Sequence, residues 1–270
     1  MAKACAAACA FNKAFNDIFN YQEDTFDGLR ESAREVFFNY NYTTQLFEAL
    51  KASMSIERIK EHISMGRKVV IFHRRQQANV TPPYATVLNT ARNNAYSILN
   101  DENASAESTE KANKMLAQAS DFEAKHSDLL EYEKTLNYSS AVDQLRAEFG
   151  EQIGFVNGNI SNKDKTRFIR EFNKDGSGRD IILVQEEAGK EGISLHDTSG
   201  KHQRVLMSLS MPISSTTALQ IEGRIFRIGQ ESDAIFEYPL LGLDCLLYTF
   251  DAADDTPCVD LGGRRIIKKK

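Results

Sequence analysis

The sequence contains no run of about 18 consecutive apolar residues, the length a membrane-spanning helix needs, so neither a transmembrane segment nor a membrane partner is expected. Positive charge is not in excess either. A formal net charge of −5 gives no global attraction to nucleic acid, and any such contact must come from a local patch. Cysteine is scarce: Cys5, Cys9, Cys245 and Cys258 make up the whole set. No second Cys or His pair at zinc spacing accompanies Cys5 and Cys9, so free thiols in a reducing compartment are expected rather than a metal site or a disulfide. His73, His196 and His202 stand near no Cys or carboxylate cluster with ligand spacing, and no Ser/His/Asp arrangement can be argued, so no metal is assigned. The Ala/Cys run at the start is followed by no convincing cleavage site, which argues against a secretory signal. A phosphate-cradling G-x-x-x-x-G-K-S/T loop is absent, as is an Asp-Glu box after an apolar strand.

What the chain does have is an α/β pattern. Residues 1–64 read as helical, ending in a helix over Gln45–Met65 with an apolar stripe of Leu46, Ala49, Leu50, Ile56, Ile59 and Ile63, stopped by Gly66. Gly66–His73 holds a short β-branched apolar run after a glycine, the mark of a buried parallel strand. Residues of about 75–150 are Ala- and Glu-rich. They read as a helical insertion, with helices over Tyr84–Leu99 and Glu110–Leu136 and a helix over Ser140–Phe149 that returns to the sheet. Its acidity suits a passive or protein-facing role better than a grip on DNA. Further strands are expected at 153–158, 179–184, 204–209 and 235–240. Ser161 is placed to cap a helix over Asn162–Phe172, and Ser214–Thr217 to cap another.

Two stretches carry chemistry. Ala188-Gly189-Lys190-Glu191-Gly192-Ile193-Ser194-Leu195 follows a strand directly, and small residues there let the backbone approach a ligand and offer free N–H groups to phosphate. Gln220-Ile221-Glu222-Gly223-Arg224-Ile225-Phe226-Arg227-Ile228-Gly229-Gln230 sets two arginines three apart, which on a helix would share one face. Paired guanidinium groups suit a phosphate cluster, being planar, permanently charged and forked.

The second stretch resembles motif VI of superfamily 2 helicases and Snf-type translocases, and the first resembles their motif V. Gly66–His73 is similar to motif IV, and Gly158, Ser161, Arg167, Phe172 and Asn173 match the strand–glycine–helix–Phe-Asn unit between them. The combined text looks closest to the strawberry notch-like branch, which includes viral and phage helicases. The resemblance covers roughly 40–74 and 150–240. It implies a RecA-like C-terminal lobe, a mostly parallel sheet flanked by helices, over 65–240, with 1–64 as helical connector or cap. In this family Arg224 and Arg227 would reach the γ-phosphate of ATP, and Gln220 would position the nucleotide or the arginine segment. Gly192, Ser194 and Gly223 would line the nucleotide cleft, while Gly158 and Lys190 would lie near a nucleic-acid track, DNA rather than RNA. Gln185-Glu186-Glu187 departs from the Ser/Thr and Arg of Snf relatives. ATP and Mg²⁺ would be held mainly by a first lobe that is not in this chain, so the chain is expected to be inactive alone. A cytoplasmic setting is expected, that of the host cell if the source is viral or phage, with the nucleus also compatible. The rivals are a non-catalytic DNA- or protein-binding module derived from such a lobe, and an unrelated α/β nucleotide-binding protein using the Ala188–Leu195 loop.

Cys245–Lys270 resembles the conceptual translation of a sequencing-library adapter, so 241–270 is expected to be artefactual or disordered, with the natural C-terminus missing. The rival is a basic tail that grips nucleic acid through Arg264, Arg265 and Lys268–Lys270.

Overall fold

The computed structural model describes residues 13–19, 26–75, 80–189, 192–212, 214–241 and the backbone of 265–269. The chain divides into two units. The first comprises Met1–Thr43, Val80–Tyr138 and Leu241–Leu261, and its described part is largely helical. The second, from Thr44–Asn79 and Ser139–Leu240 with the end of the chain, carries the sheet.

In the helical unit, α1 (Asp27–Phe37) packs with α3 (Pro83–Leu99), α4 (Ala106–Lys125) and α5 (Ser127–Thr135). Ile18, Phe26, Leu29, Ala33 and Val36 share one core with Tyr84, Val87, Ala91, Met115, Phe122 and Leu129. Phe122 sits at its centre, with ring centroids 5.4 Å from Phe26 and 5.7 Å from Tyr84. Read from sequence, the N-terminal helices and the insertion are separate segments; here they bury their apolar faces against each other. The single helix expected over Glu110–Leu136 is two helices, because His126 adopts φ −119° and ψ 30° and ends the first. Two helices in this unit take their N-terminal caps from elsewhere in it. Phe26 and Pro82 at their N-caps offer no side-chain acceptor, and the freed N–H groups are met by Gln118 and Glu133 from elsewhere in the unit.

The sheet unit contains the latter part of α2 (Tyr40–Ser64), from Thr44 onward. Its strands are β1 (Lys68–His73), β2 (Ile153–Val156), β3 (Ile181–Gln185), β4 (Arg204–Ser208) and β5 (Ala234–Tyr238). All five are parallel, in the order β2-β3-β1-β4-β5. They are almost wholly buried because helices cover both faces, the usual condition of a parallel sheet. Alternation along β1 sends Val69 and Ile71 to one face, with α2 and α6 (Ala141–Phe149), and Val70 and Phe72 to the other. That second face holds Phe172 at the end of α7 (Asn162–Asn173) and Ile221 of α9 (Ser215–Glu222), where α8 is the single turn Glu186–Gly189. Ser140, Ser161 and Ser214 cap their helices through bonds to the N–H three residues on, at 3.1, 3.1 and 3.2 Å. Within the expected tail, β6 (Arg265–Lys269) pairs antiparallel with β5 and forms an edge of the sheet; 242–264 lie outside the described residues.

Candidate functional site

The chain enters the sheet at β1, crosses to the far edge at β2, returns beside β1 as β3 and then continues on the other side as β4. The order therefore reverses around β1, and the loops leaving the C-terminal ends of such neighbouring strands diverge to leave a crevice where ligands of open α/β sheets bind. A crevice lies there, lined by Phe72 at the end of β1, Glu186 and Gly189 after β3, and Thr217, Gln220, Ile221 and Arg224. Gly189 is required by proximity: a Cβ would stand 2.9 Å from Phe72 Cε1 and 3.1 Å from Val184 Cγ1.

The arginine segment is not the continuous helix that the spacing suggests. α9 stops at Glu222, Gly223 is its C-cap, and Arg224 and Ile225 follow in a tight turn bonded to the carbonyls of Ile221 and Glu222. The close approach of the Gly223 Cβ position to the Leu219 carbonyl, 3.1 Å, favours glycine at this exit. Burial of Ile225 pins the turn to the sheet. The arginines consequently take different surroundings. Arg227 donates through Nε to the Gly223 carbonyl at 2.6 Å and through Nη1 to Ser194 Oγ at 2.7 Å. Arg224 is only 9% exposed and lines the crevice, and no hydrogen bond or carboxylate engages its guanidinium among the described residues. Burial, and then the nearby charge of Arg227, disfavour its charged form and lower its pKa. A buried cation without a counter-charge is costly, so an anion entering the crevice would be met by an uncompensated positive group.

The glycine loop is tied to this turn. Gly192 is in the left-handed region at φ 68°, the Leu195 N–H donates to the Arg224 carbonyl at 2.9 Å, and Asn173 Nδ2 donates to the Ser194 carbonyl at 2.9 Å. Arg204 Nε holds the Leu195 carbonyl at 3.0 Å. Thus Gln220, Gly223, Arg224, Arg227 and Ser194 converge, with Gly192 in the same loop. Gly158 does not join them; it follows β2 at the sheet edge, its N–H 3.4 Å from Gln185 Oε1. Lys190 lies outside the described residues.

Three contributors escape the motif reading. Asp197 is buried and bonded by the Ser199 and Gly200 N–H groups and the Ser232 hydroxyl. Burial alone would raise its pKa, but these donors prevail and hold it low. Glu186 turns out to be buried and paired with Arg74 at 2.9 Å. Glu48 of α2 accepts the N–H groups of Arg74 and Arg75 at 2.5 and 3.0 Å. For Glu186 a signal existed, in the departure from the Snf pattern; for Glu48 none did, since its partners are far along the chain.

Among the described residues no helix is long and apolar enough to cross a membrane, and no His/Cys/Asp/Glu group is arranged to hold a metal ion. Residues 110–229 match the helicase conserved C-terminal domain. The all-parallel five-strand sheet flanked by helices is consistent with that match and with a RecA-like helicase C-terminal lobe. The chain is also similar to the SNF2 domain-containing protein CLASSY 4 of Arabidopsis thaliana, at 37% identity over 123 residues, 42% of this chain and 10% of that protein. Both matches support a superfamily 2 helicase C-terminal lobe; neither supports the strawberry notch-like branch. The domain match begins at 110, inside the insertion, where sequence reading finds no usable resemblance.

Proposed function

We propose that this chain is the C-terminal lobe of an ATP-dependent nucleic-acid helicase or translocase. It would present Arg224 and Arg227 to the γ-phosphate of ATP held, with Mg²⁺, by a first RecA-like lobe. The observation that carries this reading is Arg224: a nearly buried guanidinium, paired with no carboxylate among the described residues, lining a crevice at the C-terminal ends of a parallel sheet. A polyanion would supply the missing charge, and charge that develops in phosphoryl transfer is stabilised by such a group without reorganisation. Gln220 lines the same crevice and would orient the nucleotide; Ser194 and Gly223 hold Arg227 in place. Leu219, Phe226 and Ile228 are exposed around the arginines and give this surface an apolar rim that suits docking of the first lobe. DNA is the favoured track, with Gly158 and Lys190 beside it.

The reading is tested in the longer protein. Arg227→Ala and Arg224→Ala should each lower ATP turnover by roughly a thousandfold while DNA binding is retained. Unaltered turnover would sink the assignment and leave the non-catalytic module as the better account.

A further inference from the structure

Glu186 is the residue least suited to a phosphate-facing crevice. It is 6% exposed and lines the same crevice as Arg224, and a carboxylate and a guanidinium sharing a poorly hydrated space attract strongly. An ion pair between them would cancel the charge that an anion needs. The carboxylate is instead turned to Arg74, whose Nε lies 2.9 Å from Oε2 and whose Nη2 lies 3.4 Å from Oε1.

Arg74 is itself fixed on several sides. Its Nη2 donates to the Met211 carbonyl at 2.9 Å, its N–H to Glu48 Oε1 at 2.5 Å, and its carbonyl accepts from Gln185 Nε2 at 3.3 Å. Glu48 also accepts the Arg75 N–H and the Ser210 hydroxyl, so α2 clamps the loops leaving β1 and β4 through one buried carboxylate. A long cationic side chain held this firmly loses little further entropy on keeping Glu186.

We propose that Arg74 is a positioning residue that sequesters Glu186 and thereby leaves Arg224 open to a polyphosphate. This rests on the phosphate-facing reading of Arg224 given above.

The test uses the full chain, with inorganic tripolyphosphate as the probe and the side-chain ¹⁵N signals of Arg224 as a ligand-free readout. Arg74→Ala should shift the Arg224 signals before any probe is added, as Glu186 turns to it, and weaken tripolyphosphate binding about tenfold. Arg74→Lys, which keeps the ion pair, should remain within about threefold of the parent. In the double variant Arg74→Ala/Glu186→Gln both the signals and the affinity should return, the affinity to within about threefold of the parent. A double variant as weak as Arg74→Ala alone overturns the proposal, since a merely structural arginine would not be rescued by removing one acid. If Arg74→Ala does not fold, Arg74→Met takes its place: weaker tripolyphosphate binding that Glu186→Gln restores supports the proposal, and binding that is unchanged or that Glu186→Gln does not restore overturns it. Arg224→Ala separates the two levels. Binding that survives it defeats the phosphate-facing reading, whereas an Arg224 signal indifferent to Arg74→Ala defeats the proposal itself.

Discussion

Three helices of the sheet unit bring their own caps, and two helices of the helical unit borrow theirs. Ser140, Ser161 and Ser214 each close the first turn of the helix they precede. By contrast Gly28 N–H of α1 donates to Gln118 Oε1 of α4 at 2.6 Å, and Tyr84 and Ala85 N–H of α3 donate to Glu133 of α5 at 3.0 and 3.2 Å. A self-capped helix can be placed before its neighbours exist; a borrowed cap is a tertiary contact and makes each helix depend on the others. The buried carboxylates differ in the same sense. Glu237 on β5 meets the Arg58 guanidinium at 2.6 Å and the His62 imidazole at 3.1 Å. Among the described residues, Glu133 accepts from backbone N–H groups alone. Burial raises both pKa values, but the partners of Glu237 overcome it and bring that carboxyl to about 2, whereas Glu133 is left raised to about 7.

The strongest way to break this comparison is to hollow the helical core. Phe122→Ala should cost about 3–5 kcal/mol, because Phe26 and Tyr84 cannot both collapse into the space. If the two separated stretches fold as one unit, hydrogen exchange of amides in α1 should accelerate with those of α3 and α4. Acceleration confined to α4 would show that the N-terminal helices stand independently.

Next in size is Glu237→Gln, which leaves Arg58 and the buried His62 facing a neutral group, at a cost of roughly 3 kcal/mol. The same residue sets a pH response. Its folded pKa lies below the unfolded value near 4.5, so its contribution is present above pH 4.5 and is lost as pH falls toward about 2. Thermal melts should show the parent losing stability over that window, and the variant losing less.

The contrast in caps also explains how much was legible from sequence. The sheet unit was readable because its determinants are local: β-branched runs for buried strands, a serine three residues ahead of each first-turn N–H, and Gly66 at the end of α2. The meeting of Ser194, Arg224 and Arg227 was legible through the resemblance of their two stretches to motifs of one family. What failed was tertiary. The shared core of α1 with α3 and α4 cannot be seen in either segment alone, and the break at His126 interrupts an apparently continuous helical pattern. The arginine turn was misread as helix because three-residue spacing also fits a tight turn after a C-cap. The clamp through Glu48, Arg74 and Glu186 joins residues more than a hundred positions apart and leaves no periodic trace.

Smaller effects test the borrowed caps directly. Gln118→Ala removes the acceptor for Gly28 N–H and the bond from Gln118 Nε2 to Asp27 Oδ1 at 2.5 Å. Losing the cap should cost about 1–2 kcal/mol, and exchange should rise in α1, far from the substitution in sequence. Ser161→Ala, by comparison, should cost about 1 kcal/mol with the effect confined to α7. If both effects remain local, the distinction between borrowed and intrinsic caps has no energetic content.

Glu133→Gln is the subtlest variant because it keeps the shape and one acceptor while removing the charge. The folded pKa near 7 exceeds the unfolded value of about 4.5, so the favourable contribution of the protonated group is complete below pH 4.5 and is lost as pH rises through 7. At pH 8 the parent therefore carries a buried carboxylate whose desolvation its two N–H bonds do not fully offset, and the glutamine variant should be more stable by about 1 kcal/mol. At pH 5 the advantage should vanish or reverse. Hydrogen exchange of α3 amides at the two pH values would read this without interference from Glu237, whose window lies lower and in the other unit. A variant less stable at pH 8 than at pH 5, relative to the parent, would mean that the ionised carboxylate stabilises α3 as a cap more than its burial costs.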